Sequence, residues 1–130
     1  MKIPKHIQKL INEESIHILS TSSKDGIPNT IYLKFLKVYN DQQILIANNK
    51  FFKTEKNLIE NPNMSFLIFD KENKKAYQLK GNVEFHKDDE IFSETVKWVE
   101  KERLSPGTFP KSGILMTIKE IYSGAKRIEN

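Results

Sequence analysis

Two neighbouring side chains, Lys53 and Thr54, are the residues of this chain best placed to do chemistry. An apolar run over residues 44–47 predicts a strand before them, and Asn61 and Pro62 predict the end of a short helix after them. The first N–H groups of a helix lack internal partners and lie at the positive end of its dipole. An ammonium and a hydroxyl added there make a candidate phosphate-binding site. The alternative is an ordinary surface lysine, although helix starts favour acidic residues.

The composition indicates one domain, residues 1–130, with a modest core. Its apolar fraction is 38%, against a usual value of about 45–50%, which indicates exposed polar edges or a core completed by a partner or ligand. The absence of cysteine excludes disulfides and thiolate metal sites. With no signal peptide and no stretch able to span a bilayer, we expect a soluble cytoplasmic protein without membrane contact.

The basic residues do not form a nucleic-acid-binding pattern. The net charge is +4, from 21 basic and 17 acidic residues, and only Arg103 and Arg127 are arginines. A nucleic-acid binder usually clusters its basic residues and uses more arginine. A solvated lysine-rich surface is therefore favoured, and no nucleic-acid partner is expected.

No arrangement of catalytic or metal-ligating side chains is visible in the sequence. The three histidines, His6, His17 and His86, are not spaced as metal ligands. The hydroxyl run at residues 20–23 has no accompanying histidine and aspartate pattern and no nucleophile elbow. We therefore predict neither a catalytic residue nor a metal site.

The hydrophobic pattern predicts six strands and three helices. A helix is expected at residues 4–13, a short one from Lys53, and a third after the acidic start at residues 88–90. A hairpin turn is expected at residues 24–28 and a loop from Ser105 to Gly113. The predicted strands are residues 16–22, 29–39, 43–47, 64–69, 77–86 and 114–122.

The strand at residues 29–39 has a readable two-residue alternation. Thr30, Tyr32 and Lys34 form a polar face opposite an apolar one, and the pattern inverts beyond Phe35. A bulge or bend near Phe35 would account for the inversion, as barrels require. The polar face needs a reason to be polar, which is either a ligand or solvent.

Two other strands carry specific expectations. Residues 64–69 are apolar at almost every position, which predicts a central strand covered on both faces. Gly81 in the middle of the strand at 77–86 predicts a bulge or a close backbone approach. Six antiparallel strands with hairpin spacing and few helices predict a mainly β fold, a small closed or partly open barrel with short flanking helices.

Several short motifs, in this order and spacing, resemble the pyridoxamine 5'-phosphate oxidase-like family of FMN-binding split barrels. The resemblance covers nearly the whole chain and is more specific for the fold than for any one reaction. The motifs are Asp25-Gly26-x-Pro28-Asn29, Leu36-Lys37-Val38, Ile44-Leu45-Ile46-Ala47-Asn48, Lys53-Thr54-x-x-Asn57-Leu58, Asn61-Pro62 and Tyr77-Gln78-Leu79-Lys80-Gly81.

The resemblance implies a homodimer of split barrels with FMN at the subunit interface. It implies that the phosphate lies on the lysine–threonine pair, the ribityl chain along the strand end at residues 47–49, and the ring on the polar face of strand 29–35. Trp98 is expected in the core or the dimer interface rather than on the flavin. The residues expected to contact or support FMN are Lys53, Thr54, Thr30, Tyr32, Lys34, Ala47, Asn48, Asn49, Asn57 and Gln78.

The departures from the family indicate which member this chain resembles. It has no arginine before Arg103 to grip phosphates, and it ends before the substrate-binding segment of the full oxidase, so vitamin B6 oxidation is not expected. It resembles the shorter FMN-binding members, which implies a flavin-dependent oxidoreductase with an unknown small-molecule redox partner. The alternatives are an FMN-binding electron carrier without turnover, a deazaflavin-using relative, and a barrel that has lost its cofactor or binds nucleic acid.

Overall fold

A computed structural model describes residues 1–102 and 109–129 of the chain. Three helices accompany the strands: α1 (Lys5–Glu13), α2 (Lys53–Glu60) and α3 (Glu90–Glu102). No helix in the described ranges is long and apolar enough to cross a membrane. The strands are β1 (His17–Ser22), β2 (Pro28–Leu33), β3 (Leu36–Asn40), β4 (Gln43–Asn48), β5 (Asn63–Asp70), β6 (Lys75–His86), β7 (Ser112–Ser123) and β8 (Lys126–Arg127).

The prediction of six strands is wrong, because the structure has eight in the described residues. The predicted strand at 29–39 breaks at Lys34 and Phe35 into β2 and β3, and the short β8 pairs with the end of β7. The bend expected near Phe35 is confirmed by this break. The loop expected from Ser105 falls partly outside the described residues, and its described part ends early because β7 begins at Ser112.

All strand pairs are antiparallel, in the order β2-β1-β5-β6-β7-β4-β3. The strands at the two ends of this order, β2 and β3, are joined by only Lys34 and Phe35. The two ends of the sheet are therefore held close together, which makes the sheet a split barrel. The N–H of Ala47 donates to the carbonyl oxygen of Phe35 at 3.0 Å and fixes the bend against β4.

The barrel interior is filled by one apolar cluster, which α1 closes at one end. Proline precedes the helix at position 4, where its fixed φ suits a helix start. Apolar residues spaced three to four apart then place Ile7 and Ile11 on one face, and both are fully buried. They pack in the same cluster as Leu19, Phe66 and Leu79 from β1, β5 and β6.

The expectation that residues 64–69 form a strand covered on both faces is wrong for this chain. In β5 the inward residues Phe66 and Ile68 are buried, but Leu67 and Phe69 are 44% and 49% exposed. β5 lies in the middle of the sheet, and only the barrel interior is filled by the chain itself. The outer face of β5 is apolar and uncovered.

The expectation for Gly81 is confirmed. The register of the β6–β7 pair shifts between Lys80 and Gly81, which is the predicted bulge. A Cβ atom at Gly81 would overlap the backbone carbonyl oxygen of Thr117 on β7. Glycine is required here because the two backbones approach too closely for any side chain.

Candidate functional site

A cavity of about 1220 Å³ lies where β2 bends into β3, β4 ends and α2 begins. The three segments meet because β4 pairs with β3 and is followed, after a loop at residues 49–52, by α2. The cavity brings together seven of the ten residues predicted to contact the cofactor. These are Thr30, Tyr32, Lys34, Ala47, Asn49, Lys53 and Thr54.

The start of α2 forms one wall of the cavity and carries the predicted lysine–threonine pair. α2 begins at Lys53 and has no side-chain cap, so the N–H groups of its first turn are left for a ligand or water. Lys53 is exposed and makes no hydrogen bond or ion pair with the described residues. Thr54 is buried, and its hydroxyl accepts a hydrogen bond from the side-chain amide of Asn29 at 3.2 Å. An accepting hydroxyl still has its own hydrogen to donate.

Two predicted site residues lie behind the cavity wall rather than on it. Asn48 is fully buried, and its Nδ2 donates to Glu55 at 2.6 Å and to Ser112 at 3.1 Å. Asn57 lies under α2 and donates to the hydroxyl of Thr21 at 3.1 Å. The amide groups of both residues hold the frame of the site together.

Asn49 combines a position on the cavity wall with an unmet hydrogen-bonding need. Its Oδ1 is buried and finds no hydrogen-bond partner within the described residues. Leaving a buried acceptor unpaired costs about 1–3 kcal/mol. A ligand with an N–H or O–H donor at this place would remove that cost. The cavity therefore fits a polar ligand on structural grounds.

The charges around the cavity favour an anion near α2. Lys34, Lys50 and Lys53 line it on the side of the bend and of the loop before α2. Glu55, in the first turn of α2, is neutralised by an ion pair with Lys111 at 3.4 Å. The hydrogen bond from Asn48, followed by the contact with Lys111, holds the pKa of Glu55 below its usual value.

An aromatic pair closes the cavity on the side of α3. The rings of Phe35 and Trp98 meet edge to face, with their centroids 5.5 Å apart, and both line the cavity. The ammonium of Lys37 lies 4.7 Å from the centroid of the Trp98 ring. Trp98 is the only tryptophan of the chain, so its fluorescence reports on this cavity.

The tenth predicted residue, Gln78, lies on the outer face of the sheet and outside the cavity lining. Strand pairing places Tyr32, Ile18, Leu67 and Gln78 in one row across β2, β1, β5 and β6. We call this row the outer stripe. Tyr32, Ile18 and Leu67 are 67%, 40% and 44% exposed, which is unusual for adjacent apolar side chains in a sheet.

Three polar residues of the site, Asn29, Glu55 and Lys111, are not among those that the sequence predicts. Asn29 could have been found, because it precedes the polar face of its strand. Glu55 sits in the first turn of a helix, where an acid is ordinary. Lys111 reaches the site only because β7 pairs with β4, and no local pattern reveals that pairing.

The architecture and the site define a class: a split barrel with a cation-rich cavity at the start of its second helix. The family model described as pyridoxamine 5'-phosphate oxidase matches residues 3–123, and the chain belongs to this family. A protein of Methanocaldococcus jannaschii described as uncharacterized is 33% identical over 95% of this chain and 81% of its own length.

Many solved structures share the fold, and three of them show the degree of similarity. HupZ from Group A Streptococcus superposes with a TM-score of 0.85, 19% identity, and coverage of 98% of this chain and 99% of its own. An FMN-binding protein from Syntrophomonas wolfei gives 0.77 and 21%, covering 89% and 82%. An F420 reductase gives 0.67 and 16%, covering 92% and 98%. At these identities the likeness shows the split-barrel fold alone.

Proposed function

We propose that this protein is an FMN-binding flavoprotein, a homodimer that exchanges electrons with a small-molecule partner. The observation that carries the proposal is the meeting of three features in one cavity: Lys53, the uncapped start of α2, and the unpaired Oδ1 of Asn49. Family membership and the FMN-binding structural neighbour support a flavin as the ligand.

The phosphate of FMN would lie at the start of α2. Lys53 supplies an exposed positive charge, Thr54 a hydroxyl hydrogen, and the first turn of the helix its uncommitted N–H groups. Charge-assisted hydrogen bonds to an anion are about twice as strong as neutral ones. The pairing of Glu55 with Lys111 keeps this first-turn carboxylate from opposing the phosphate.

The ring system would lie along the polar face of β2, against Thr30, Tyr32 and Lys34. When bound, FMN supplies the electron and hydride chemistry, and the protein supplies binding, orientation and charge. An ammonium such as that of Lys34 stabilises negative charge developing on the ring edge it faces. The buried oxygen of Asn49 would accept a hydrogen bond from the ligand, since it lacks one from the protein.

The outer stripe supports the homodimer. Its apolar side chains are uncovered in the single chain. Burying them against a second copy would add to the small apolar core that the low apolar fraction of the sequence allows. In a two-fold symmetric interface the same patch faces itself. A two-fold axis parallel to the strands, passing between Ile18 and Leu67 in the middle of the row, would bring Gln78 of one copy opposite Tyr32 of the other. Gln78 would then reach the cavity from the second subunit.

A true pyridoxamine-phosphate oxidase is not proposed. No arginine lines the cavity within the described residues, and Arg127 pairs instead with Glu120 and Glu129. An electron carrier without its own substrate is the second candidate, because the described cavity residues include no acid–base arrangement beyond scattered charges. The F420 reductase among the structural neighbours keeps a deazaflavin as the alternative ligand.

The first experiment is the visible spectrum of the purified protein, with and without added FMN, together with the identity of any released cofactor. We expect a yellow flavoprotein that releases FMN, and quenching of Trp98 fluorescence on titration. If the protein stays colourless and its fluorescence is not quenched by FMN but is quenched by a deazaflavin, the ligand is the deazaflavin and not FMN. Turnover with NADH, NADPH or pyridoxamine phosphate would separate an enzyme from a carrier.

A charge reversal tests where the phosphate lies. Lys53→Glu removes an ion contact worth about 1.5–3 kcal/mol and adds repulsion, so FMN affinity should fall by more than about tenfold. Affinity for riboflavin, which lacks the phosphate, should stay within about twofold. Lys56→Glu is the matched control, because Lys56 is exposed on the same helix but does not line the cavity. Unchanged FMN affinity in Lys53→Glu would place the phosphate elsewhere.

A further inference from the structure

The structure assigns Lys111 to a role that no sequence motif indicates: it is a positioning residue that fixes the loop before α2, and through it the phosphate-binding start of that helix. This inference rests on the proposed function, since it concerns the same site. Lys111 itself does not line the cavity and would not touch the flavin. It acts on the loop at residues 49–52, which leads from β4 into Lys53.

Lys111 contacts the loop itself and the residues that flank it on both sides. Its Nζ donates to the carbonyl oxygen of Phe51 at 2.7 Å and pairs with Glu55 at 3.4 Å. Its backbone N–H donates to the carbonyl oxygen of Asn48 at 2.7 Å. The loop is thus attached to the segment just before β7 at its start, near its end, and in the first turn of the helix that follows.

Asn48 completes the attachment from inside. Its two amide hydrogens bond Glu55 and Ser112, and its Oδ1 accepts the N–H of Phe51 at 3.3 Å. Both amide hydrogens and one of the two acceptor positions of Oδ1 are therefore committed to the network. We call the network of Asn48, Phe51, Glu55, Lys111 and Ser112 the loop clamp.

The clamp has a consequence for charge as well as for geometry. Without Lys111, Glu55 would present an unneutralised carboxylate beside the helix start that receives the phosphate. The loop would also lose the hydrogen bond to Phe51 that holds its backbone. Both losses weaken binding of the phosphate and leave the ring face of β2 unchanged, because no hydrogen bond or ion pair joins Thr30, Tyr32 or Lys34 to the clamp in the described part of the chain.

The experiment compares FMN with riboflavin in Lys111→Met, using quenching of Trp98 fluorescence as the measure of affinity. We expect FMN affinity to fall by about tenfold or more and riboflavin affinity to stay within about twofold. Lys56→Met removes the same charge from the exposed side of α2 and should leave both affinities within about twofold. In the ligand-free protein, the amide of Phe51 should exchange with solvent faster in Lys111→Met than in the unmodified chain.

The double variant Lys111→Met, Glu55→Gln separates geometry from charge. It removes the uncompensated carboxylate but does not restore the hydrogen bond to Phe51, so FMN affinity should recover only in part. Full recovery, equal losses for FMN and riboflavin, or unchanged exchange of the Phe51 amide would each overturn the positioning role. Failure of the unmodified protein to bind either flavin would instead overturn the proposed function.

Discussion

Truncation of Leu67 to alanine tests the proposed dimer through the outer stripe. Fully burying a leucine is worth about 1.5–3 kcal/mol. The 44% of Leu67 that stays exposed in the single chain is then worth roughly 0.7–1.3 kcal/mol per copy, and about twice that in a symmetric dimer. Alanine keeps only part of this area, so the dimer dissociation constant should rise by about 5- to 50-fold.

The assay is sedimentation equilibrium over a dilution series, with urea denaturation of the same samples. By the same arithmetic, the fold of the single chain should lose up to roughly 0.8–1.7 kcal/mol, because more than half of the side chain is already buried before association. Ile59→Ala serves as the control, since Ile59 is 66% exposed on the outer side of α2 and lies off the stripe. A dimer that tolerates Leu67→Ala but dissociates in Ile59→Ala would refute the assignment of the stripe as the interface.

Two further predictions concern stability. Burial lowers the pKa of His17. The contribution of the neutral His17 to the free energy of unfolding is therefore complete above pH 6.5 and is lost as the pH falls below that value, by at most about 1.4 kcal/mol per pH unit. Urea denaturation of the unmodified chain and of His17→Gln at pH 7.5, 6.5 and 5.5 should show that the variant lacks this slope. His86 has the opposite effect, because its hydrogen bonds to carboxylates outweigh burial and raise its pKa. That effect is present in both proteins and cancels when they are compared. Gly81→Ala should cost about 1–3 kcal/mol, because its Cβ would overlap Thr117, whereas Asn82→Ala at the exposed neighbouring position should cost far less. A Gly81→Ala protein as stable as the unmodified chain would contradict the close approach of β6 and β7.

The elements that the sequence predicts well are those with a local cause. The spacing of Ile7 and Ile11 defines the buried face of α1, and the inversion of the pattern at Phe35 marks the bend between β2 and β3. Gly81 marks the bulge in β6, because only glycine fits there. Each signal is contained within a few residues, so no knowledge of the rest of the fold is needed.

The strand β5 shows where local reasoning fails. An apolar run indicates that its side chains are kept from water, but it does not indicate which part of the protein or of a partner covers them. In this chain one face of β5 fills the barrel, while Leu67 and Phe69 on the other remain exposed. The sequence predicted two covered faces, and the single chain provides one. The same apolar pattern is consistent with a face completed by a second molecule.

The site divides in the same way. Lys53 and Thr54 can be predicted because they follow a strand at the start of a helix. Thr30, Tyr32 and Lys34 can be predicted because they alternate along one strand. The direction in which a buried amide side chain points has no such local signal. Asn48 turns toward β7 rather than toward the cavity. That choice depends on a pairing between strands about 65 residues apart in the chain, which local patterns do not encode.

The two-residue join between β2 and β3 sets the ways in which this chain can be cut and reconnected. A circular permutant opened between Lys34 and Phe35 would remove the short covalent link between the two edge strands of the sheet, β2 and β3. A permutant opened in the turn at Glu72 and Asn73, between β5 and β6, would leave every edge as it is. Insertions and labels therefore belong in the second turn, and the first is the hinge on which the barrel closes.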